Sequence, residues 1–301
     1  MRNFDFRILL LCGLMLLNIM ACEKKETVIT HTDLIIDGNE QPPYDGIPEV
    51  QITNYVNKLY IDLTGLEPTQ DELENDVTYL QDNELSKSAR TTVVQGIIAK
   101  DAFHDRLFQS TSSQLLNGFS ESDIQEIYDE NVFIRDFLYA SGDTLSGQFM
   151  DFEISKISDL QAAKSDYKNG VISINNYFKR FCYNLIYDEI NMGSENFVIS
   201  CFENLFKRYP TESELENGVE MVDGGSTNVL LKDGNSKEDF LDIVTHNKGF
   251  YEGRIFEAFQ LLLIREPDSE EMSMFSADMI ENGSLEEVWI QLTITDEYAG
   301  F

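Results

Sequence analysis

The sequence predicts an all-α body on an N-terminal tether, and three observations predict it. Apolar residues in the body recur at spacings of three and four, the period of one helix face. One pattern, helix–proline–capping box–helix, occurs three times. A short apolar leader ends at a cysteine and is followed by a stretch rich in turn formers. The chain has 301 residues, 42% of them hydrophobic and 25% charged, enough for one compact domain or two small ones. Lys plus Arg number 22 against 54 Asp plus Glu, a net charge of −32. A field of that sign repels phosphate backbones and excludes nucleic-acid binding. Only 3 His and 4 Cys occur, and the sequence holds no CxxC, CxxCH, HExxH, GxGxxG or GxxxxGK[ST], so no metal and no cofactor is expected.

Residues 1–21 read as a signal peptide. Arg2 and Arg7 precede the apolar run Ile8–Leu17, which continues only to Ala21. That is short of the ~20 residues a spanning helix needs. The segment Ile19-Met20-Ala21-Cys22 resembles the lipobox of bacterial lipoproteins. The resemblance implies that Cys22 becomes the mature N-terminus and carries a diacylglyceryl thioether and an amide-linked acyl chain. Several chains anchor stably where one binds marginally. The alternative is an ordinary cleaved signal peptide with Cys22 incidental. Glu23-Lys24-Lys25-Glu26 partly resembles the surface-export tag of Bacteroidota lipoproteins, which implies the outer membrane and leaves surface against periplasmic face open.

Residues 22–48 form the tether, punctuated by Asp37-Gly38-Asn39 and Gln41-Pro42-Pro43, which remove any helical period. Such a spacer lets a folded body stand off a bilayer. The body then begins near Glu49.

Residues 49–108 make the first helical unit. Its core is Tyr60-Ile61-Asp62-Leu63-Thr64-Gly65-Leu66-Glu67-Pro68-Thr69-Gln70-Asp71-Glu72-Leu73. The proline disfavours α geometry in the residue before it, so one helix ends there. Thr69 then caps the next helix, with Glu72 three residues on, a capping box. The same box recurs as Thr211 and Glu214 after Pro210, and as Asp268 and Glu271 after Pro267. A box found three times in one chain is a repeat signal. The second and third units occupy residues 197–301, with Phe240–Val244 and Val288–Leu292 as further helices. Residues 109–196 form a middle region read as an insertion or a degenerate unit. Helix is expected at 123–128 and 132–138, a break at Ser141–Gly147, one aromatic helix from Ile174 to Ile190, and a turn at Asn191–Ser194.

The Leu63–Leu73 motif with the stretch 97–108 resembles the DUF1549 domain, a helical domain of planctomycete envelope proteins. The copies at 208–211 and 265–268 resemble the DUF4214-type helical repeats of secreted bacterial proteins. These resemblances imply a helical fold and supply no catalytic residue. The haem association of the first does not transfer, since no CxxCH exists.

Among candidate sites, Cys182 and Cys201 flank the turn at 191–194, so an antiparallel helical hairpin would bring them level. An oxidising envelope permits a disulfide worth ~3 kcal/mol. Two buried free thiols are the equal alternative. The oxygen-rich loops Asp223–Asn228 and Asp233–Asp239 lack the spacing of a calcium-binding loop. The first is expected to turn and the second to cap a helix at Ser236. His31, His104 and His246 sit in unrelated contexts, and no GxSxG occurs. Arg208 and Arg265 occupy matching positions and are expected to brace their own units. Asp143-Thr144-Leu145 resembles the O-glycosylation sequon of Bacteroidota.

The expected function is a non-enzymatic, lipid-anchored outer-membrane protein acting as a binding or scaffold subunit of an envelope complex. It would bind the membrane through Cys22 and an envelope protein through the body. The alternatives are a surface glycan- or peptide-binding module for nutrient capture, for which Trp289 is the single Trp, and an envelope redox- or hydrolase-associated protein.

Overall fold

The computed structural model describes residues 46–301, so the leader, Cys22, His31 and residues 22–45 of the tether lie outside the described residues. The body is all-α. It has fifteen α-helices and one two-stranded hairpin among the described residues. None of these helices is long and apolar enough to cross a membrane.

The first four helices are α1 (Glu49–Thr64), α2 (Gln70–Asp82), α3 (Lys87–Ile98) and α4 (Asp101–Leu115). Helix α1 buries Ile52, Tyr55, Val56, Leu59, Tyr60 and Leu63, the stripe expected of an amphipathic helix. It ends in left-handed Gly65, whose N–H donates to the Ile61 carbonyl. At the next start Thr69 N donates to Glu72 Oε2 at 2.8 Å, while Glu72 N donates to Thr69 Oγ1 at 3.4 Å.

A long pair follows, α5 (Glu121–Ser141) and α6 (Thr144–Lys168), in which the two stretches expected at 123–128 and 132–138 are one uninterrupted helix. Then come α7 (Ile174–Cys182), α8 (Leu185–Ile190) and α9 (Ser194–Cys201), which runs into a π-helical stretch, Phe202–Phe206. The single helix expected from Ile174 to Ile190 is broken at Asn184. Its side chain accepts from Tyr187 N–H at 3.0 Å and donates to the Arg180 and Phe181 carbonyls. One amide thereby closes one helix and opens the next.

The last part comprises α10 (Glu212–Val222), β1 (Thr227–Val229), β2 (Lys232–Gly234), α11 (Lys237–Thr245), α12 (Lys248–Leu262), α13 (Ser269–Asn282), α14 (Leu285–Thr293) and α15 (Asp296–Ala299). Helices α10 and α13 start with complete capping boxes at Thr211/Glu214 and Asp268/Glu271. The residue three before each proline is left-handed: Gly65 at φ 73°, Lys207 at 56° and Ile264 at 56°. The loop Asp223–Asn228 turns at Asp223–Gly224 and then enters β1, while Asp233–Asp239 begins in β2, paired antiparallel with β1, and Ser236 caps α11 as expected.

The body closes on itself end to end. Tyr55 Oη of α1 donates to the Thr293 carbonyl at 3.0 Å, and Tyr298 Oη donates to Asp62 at 2.8 Å. Arg90 of α3 donates to the Ile294 carbonyl and to Asp296. The core between these layers is aromatic, with Phe103 edge-on to Trp289 at 5.4 Å and Phe178 edge-on to Phe250 at 5.4 Å.

Candidate functional site

Among the described residues, the α5–α6 hairpin is where the most large apolar side chains are left exposed. Its local cause is plain in the chain. Ser120 and Asp123 form a capping box that opens α5. Gly142, at φ 86°, ends it, and Asp143 accepts from Ser146 N–H to open α6 at once. Two residues therefore connect helices of 21 and 25 residues, which must run antiparallel. Gly147 brings the helices close, since a Cβ there would meet the Tyr139 ring at 2.7 Å.

Only the base of this hairpin joins the core, through Ile124, Ile157, Leu160 and Ala163. It is tied down by Lys164, which donates to Asp105 and Glu121, and by Arg180, which donates to Asp166. Deeper in α6, Lys156 pairs with Glu153 at 2.6 Å, both buried. Toward the tip the apolar residues lose their cover. Leu145 is 79% exposed, Phe133 73%, Phe137 65% and Phe149 59%, with Ile134 and Phe152 also exposed. Phe133 and Phe137 recur one turn apart on α5, and Leu145, Phe149 and Phe152 follow one stripe of α6. Leu138, Leu145, Phe149, Met150 and Phe152 line a shallow apolar depression there. Monomeric proteins seldom leave so many large apolar side chains of one hairpin in water unless something covers them.

The edge of the patch is acidic. Glu130, Asp136, Asp143 and Asp151 are all exposed around it. Arg135 is the only cation of the tip, and its guanidinium already sits on Asp136 at 2.8 Å and Asp151 at 3.6 Å. The Asp143-Thr144-Leu145 sequon occupies the exposed turn at the very end.

The other residues singled out in the sequence fall elsewhere and, apart from the two cysteines, do not converge. Cys182 and Cys201 are neighbours in the core: both thiols are buried and free. Tyr187 Oη is 3.7 Å from Cys201 Sγ. Burial, then the neighbouring Cys201, push the Cys182 thiol well above its ordinary range, so it is a poor nucleophile. The capping boxes are structural. Glu72, held by Lys100 and by Thr69, is lowered to about 2, and Glu214, held by Arg208, is lowered to about 2. Arg265 also reaches Glu297 of α15.

The acidic loops engage their own backbone. Asp239 Oδ2 accepts from Asn235 N–H, and Asn228 Nδ2 donates to Asp233. Among the described residues no three His, Cys, Asp or Glu side chains converge as a metal-binding group. His104 is buried edge-on to Phe103, and burial lowers its pKa. His246 lies against the Asp242 carbonyl on the surface. Sequence reasoning missed the hairpin because its apolar residues sit at ordinary helical spacings. The readable signal was their abundance around a break at 141–147, with an aromatic or aliphatic residue on both flanks. Comparison with protein-family models, curated proteins and solved structures finds no match.

Proposed function

We propose that the chain is a non-enzymatic outer-membrane lipoprotein, anchored by acyl chains on Cys22, whose body is a binding or scaffold subunit of an envelope complex. The observation that carries this reading is the bare apolar tip of the α5–α6 hairpin. The partner is a protein presenting an apolar segment edged with Lys and Arg. Charge selects it: the rim of the patch holds four exposed carboxylates and one already paired arginine. A second copy would set its own carboxylates against these, and an anionic bilayer would repel them.

The three capping boxes that follow a proline, each with a left-handed residue three before that proline, support reading the body as copies of one helix–break–helix unit. On that reading α12 closes the second unit and opens the third, and the hairpin is an insertion between the first and second. The resemblances to DUF1549 and DUF4214-type units rest on the same motifs.

The test is crosslinked affinity purification of the tagged full chain from intact cells, beside a Phe137→Ser, Phe149→Ser variant, with protease shaving of parallel samples. Because both side chains are exposed, the variant should melt as the parent does. The parent should recover a defined set of envelope proteins that the variant loses. Recovery of second copies only, co-purification with lipid only, or equal recovery by the variant would each overturn the reading.

A further inference from the structure

A second feature, lined by no residue of the hairpin, is a half-open cleft of about 340 Å³ where α1, α4, α7, α12 and α14 converge on the π-helical stretch. Its walls are partly apolar, formed by Phe178, Leu261, Leu285 and Trp289. Its charges are unlike those of the rest of the molecule. Three cations, Arg106, Lys207 and Arg254, face two carboxylates, Asp62 and Glu257.

Both Lys207 and Arg254 share the single carboxylate of Glu257. Asp62 already accepts the Tyr298 hydroxyl. Arg106 has neither a carboxylate partner nor a hydrogen bond among the described residues. It stands half-buried with its aliphatic stem against Gly65, so that a Cβ on that glycine would lie 3.3 Å from Arg106 Cδ. The cleft is thus locally positive in a chain of net charge −32. In a protein where carboxylates outnumber cations more than twofold, an arginine without one is a group kept for something else.

Two polar atoms in the same walls are also unfilled. Arg254 is fully buried and stacks on Phe178 at 4.4 Å, yet its Nε has no partner. Its other nitrogens are occupied: Nη2 donates to the Asn204 carbonyl at 2.7 Å and Nη1 pairs with Glu257 at 2.6 Å. Trp289 Nε1 is likewise buried without a partner. Neither atom is open to solvent, so the group left to meet a ligand in the cleft is Arg106.

We propose that this cleft binds a small organic carboxylate, its anionic group on Arg106 and its apolar body against Trp289, Phe178 and Leu285. The ligand must carry both features. The guanidinium supplies a fork that fits a carboxylate, and the aromatic wall gives no hydrogen-bonding return to a compact, fully hydrated anion. Lys207 and Arg254 are both held by Glu257, so the cation left to meet an anion is Arg106. This site is independent of the hairpin, and either can fail without the other.

Trp289 is the only Trp of the chain and lines the cleft, so its emission reports binding directly. The full mature chain is titrated with 3-phenylpropionate, with its neutral alcohol 3-phenylpropan-1-ol, and with inorganic phosphate. The carboxylate should shift Trp289 emission saturably, while the alcohol and phosphate bind at least about tenfold more weakly. Arg106→Gln should weaken the carboxylate about tenfold or more, and Arg106→Lys should weaken it less. Absence of a saturable response to 3-phenylpropionate overturns the proposal, as does an equal response to the alcohol or to phosphate. So does unchanged affinity in an Arg106→Gln protein that melts as the parent does. If that variant does not fold, the three-ligand comparison on the parent decides.

Discussion

Arg265 grips Glu271 through two parallel hydrogen bonds of 2.7 Å each, and the same carboxylate closes the capping box of α13 by accepting from Asp268 N–H. Arg208 and Glu214 repeat the arrangement at the start of α10, with bonds of 2.8 and 2.7 Å. In each case one glutamate joins the end of one helix to the beginning of the next, because its arginine sits just past a left-handed residue and its box sits just past a proline.

Replacing Glu214 by Gln tests this joint. The neutral amide keeps the size but gives up the charge-assisted fork and the carboxylate half of the box. The pair is only partly buried, so the loss is about 1 kcal/mol after solvent screening, or roughly 2–4 °C in melting temperature. The pH dependence has a definite sign. Glu214 titrates at about 2 in the folded chain, below its ordinary value, so its contribution is complete above the unfolded pKa, roughly 4.3. It fades as pH falls toward 2. The gap between parent and variant melting curves should therefore be constant from neutral pH down to about 5 and close progressively below it. A gap that widens on acidification would contradict the assignment.

Gly253 of α12 allows a close approach to the π-helical stretch. A Cβ there would stand 2.1 Å from the Leu205 carbonyl oxygen and 3.0 Å from its carbon, both backbone atoms that cannot rotate away. The approach is what lets Arg254, the next residue, cap the Asn204 carbonyl. Gly253→Ala should cost about 3 kcal/mol or more, beyond usual core overpacking because backbone must move. Gly96 of α3 is the control, since nothing lies within 4 Å of its Cβ direction. Gly96→Ala should stabilise by about 0.5–1 kcal/mol through helix propensity alone. Thermal melts of the two single variants, shifting in opposite directions, are the check.

The helices and their starts were legible because the signals are local. Thr69, Thr211 and Asp268 cap where a Thr or Asp after Pro, with Glu three on, says they must. The β1–β2 hairpin was not legible. Its two-residue turn is Leu230-Leu231, at φ 51° and 67°, where the usual signal is Asn-Gly. Nor was the closure of Tyr55 on Thr293, since no periodicity reports a contact between opposite ends of a chain. The exposed hairpin tip escaped for a related reason. Phe133 and Phe149 are spaced as core residues are, and only the three-dimensional course of the chain leaves them without a covering layer. The unpaired state of Arg106 is likewise a property of the fold, invisible in a sequence crowded with acids.

The Leu-Leu turn gives its own prediction. Leu231 is 93% exposed and left-handed, so its side chain pays for conformational strain with no packing in return. Leu231→Gly relieves an αL penalty of roughly 1 kcal/mol and gives back part of it as unfolded-chain entropy. The net effect should be a small rise in melting temperature. Leu230 is half-buried and packs against the core, so Leu230→Gly should lower it. A fall at Leu231 as well would mean that its side chain has a cover in solution.

Cys182 and Cys201 offer the last test, because their chemistry separates the two arrangements that spacing alone left open. The thiols are fully buried and free, and burial pushes Cys182 up, so almost no thiolate exists at neutral pH. Alkylation of the native protein should therefore wait on unfolding, with a rate that tracks denaturant rather than pH. After denaturation without reductant, peptide mass mapping should find one label on each of Cys182 and Cys201. A linked, unlabelled peptide pair would instead establish a disulfide between α7 and α9. Cys182→Ala leaves a small void in the core and should cost about 1–2 kcal/mol. Loss of that size in reduced and unreduced protein alike follows from packing, whereas a loss confined to unreduced protein would follow from a broken crosslink.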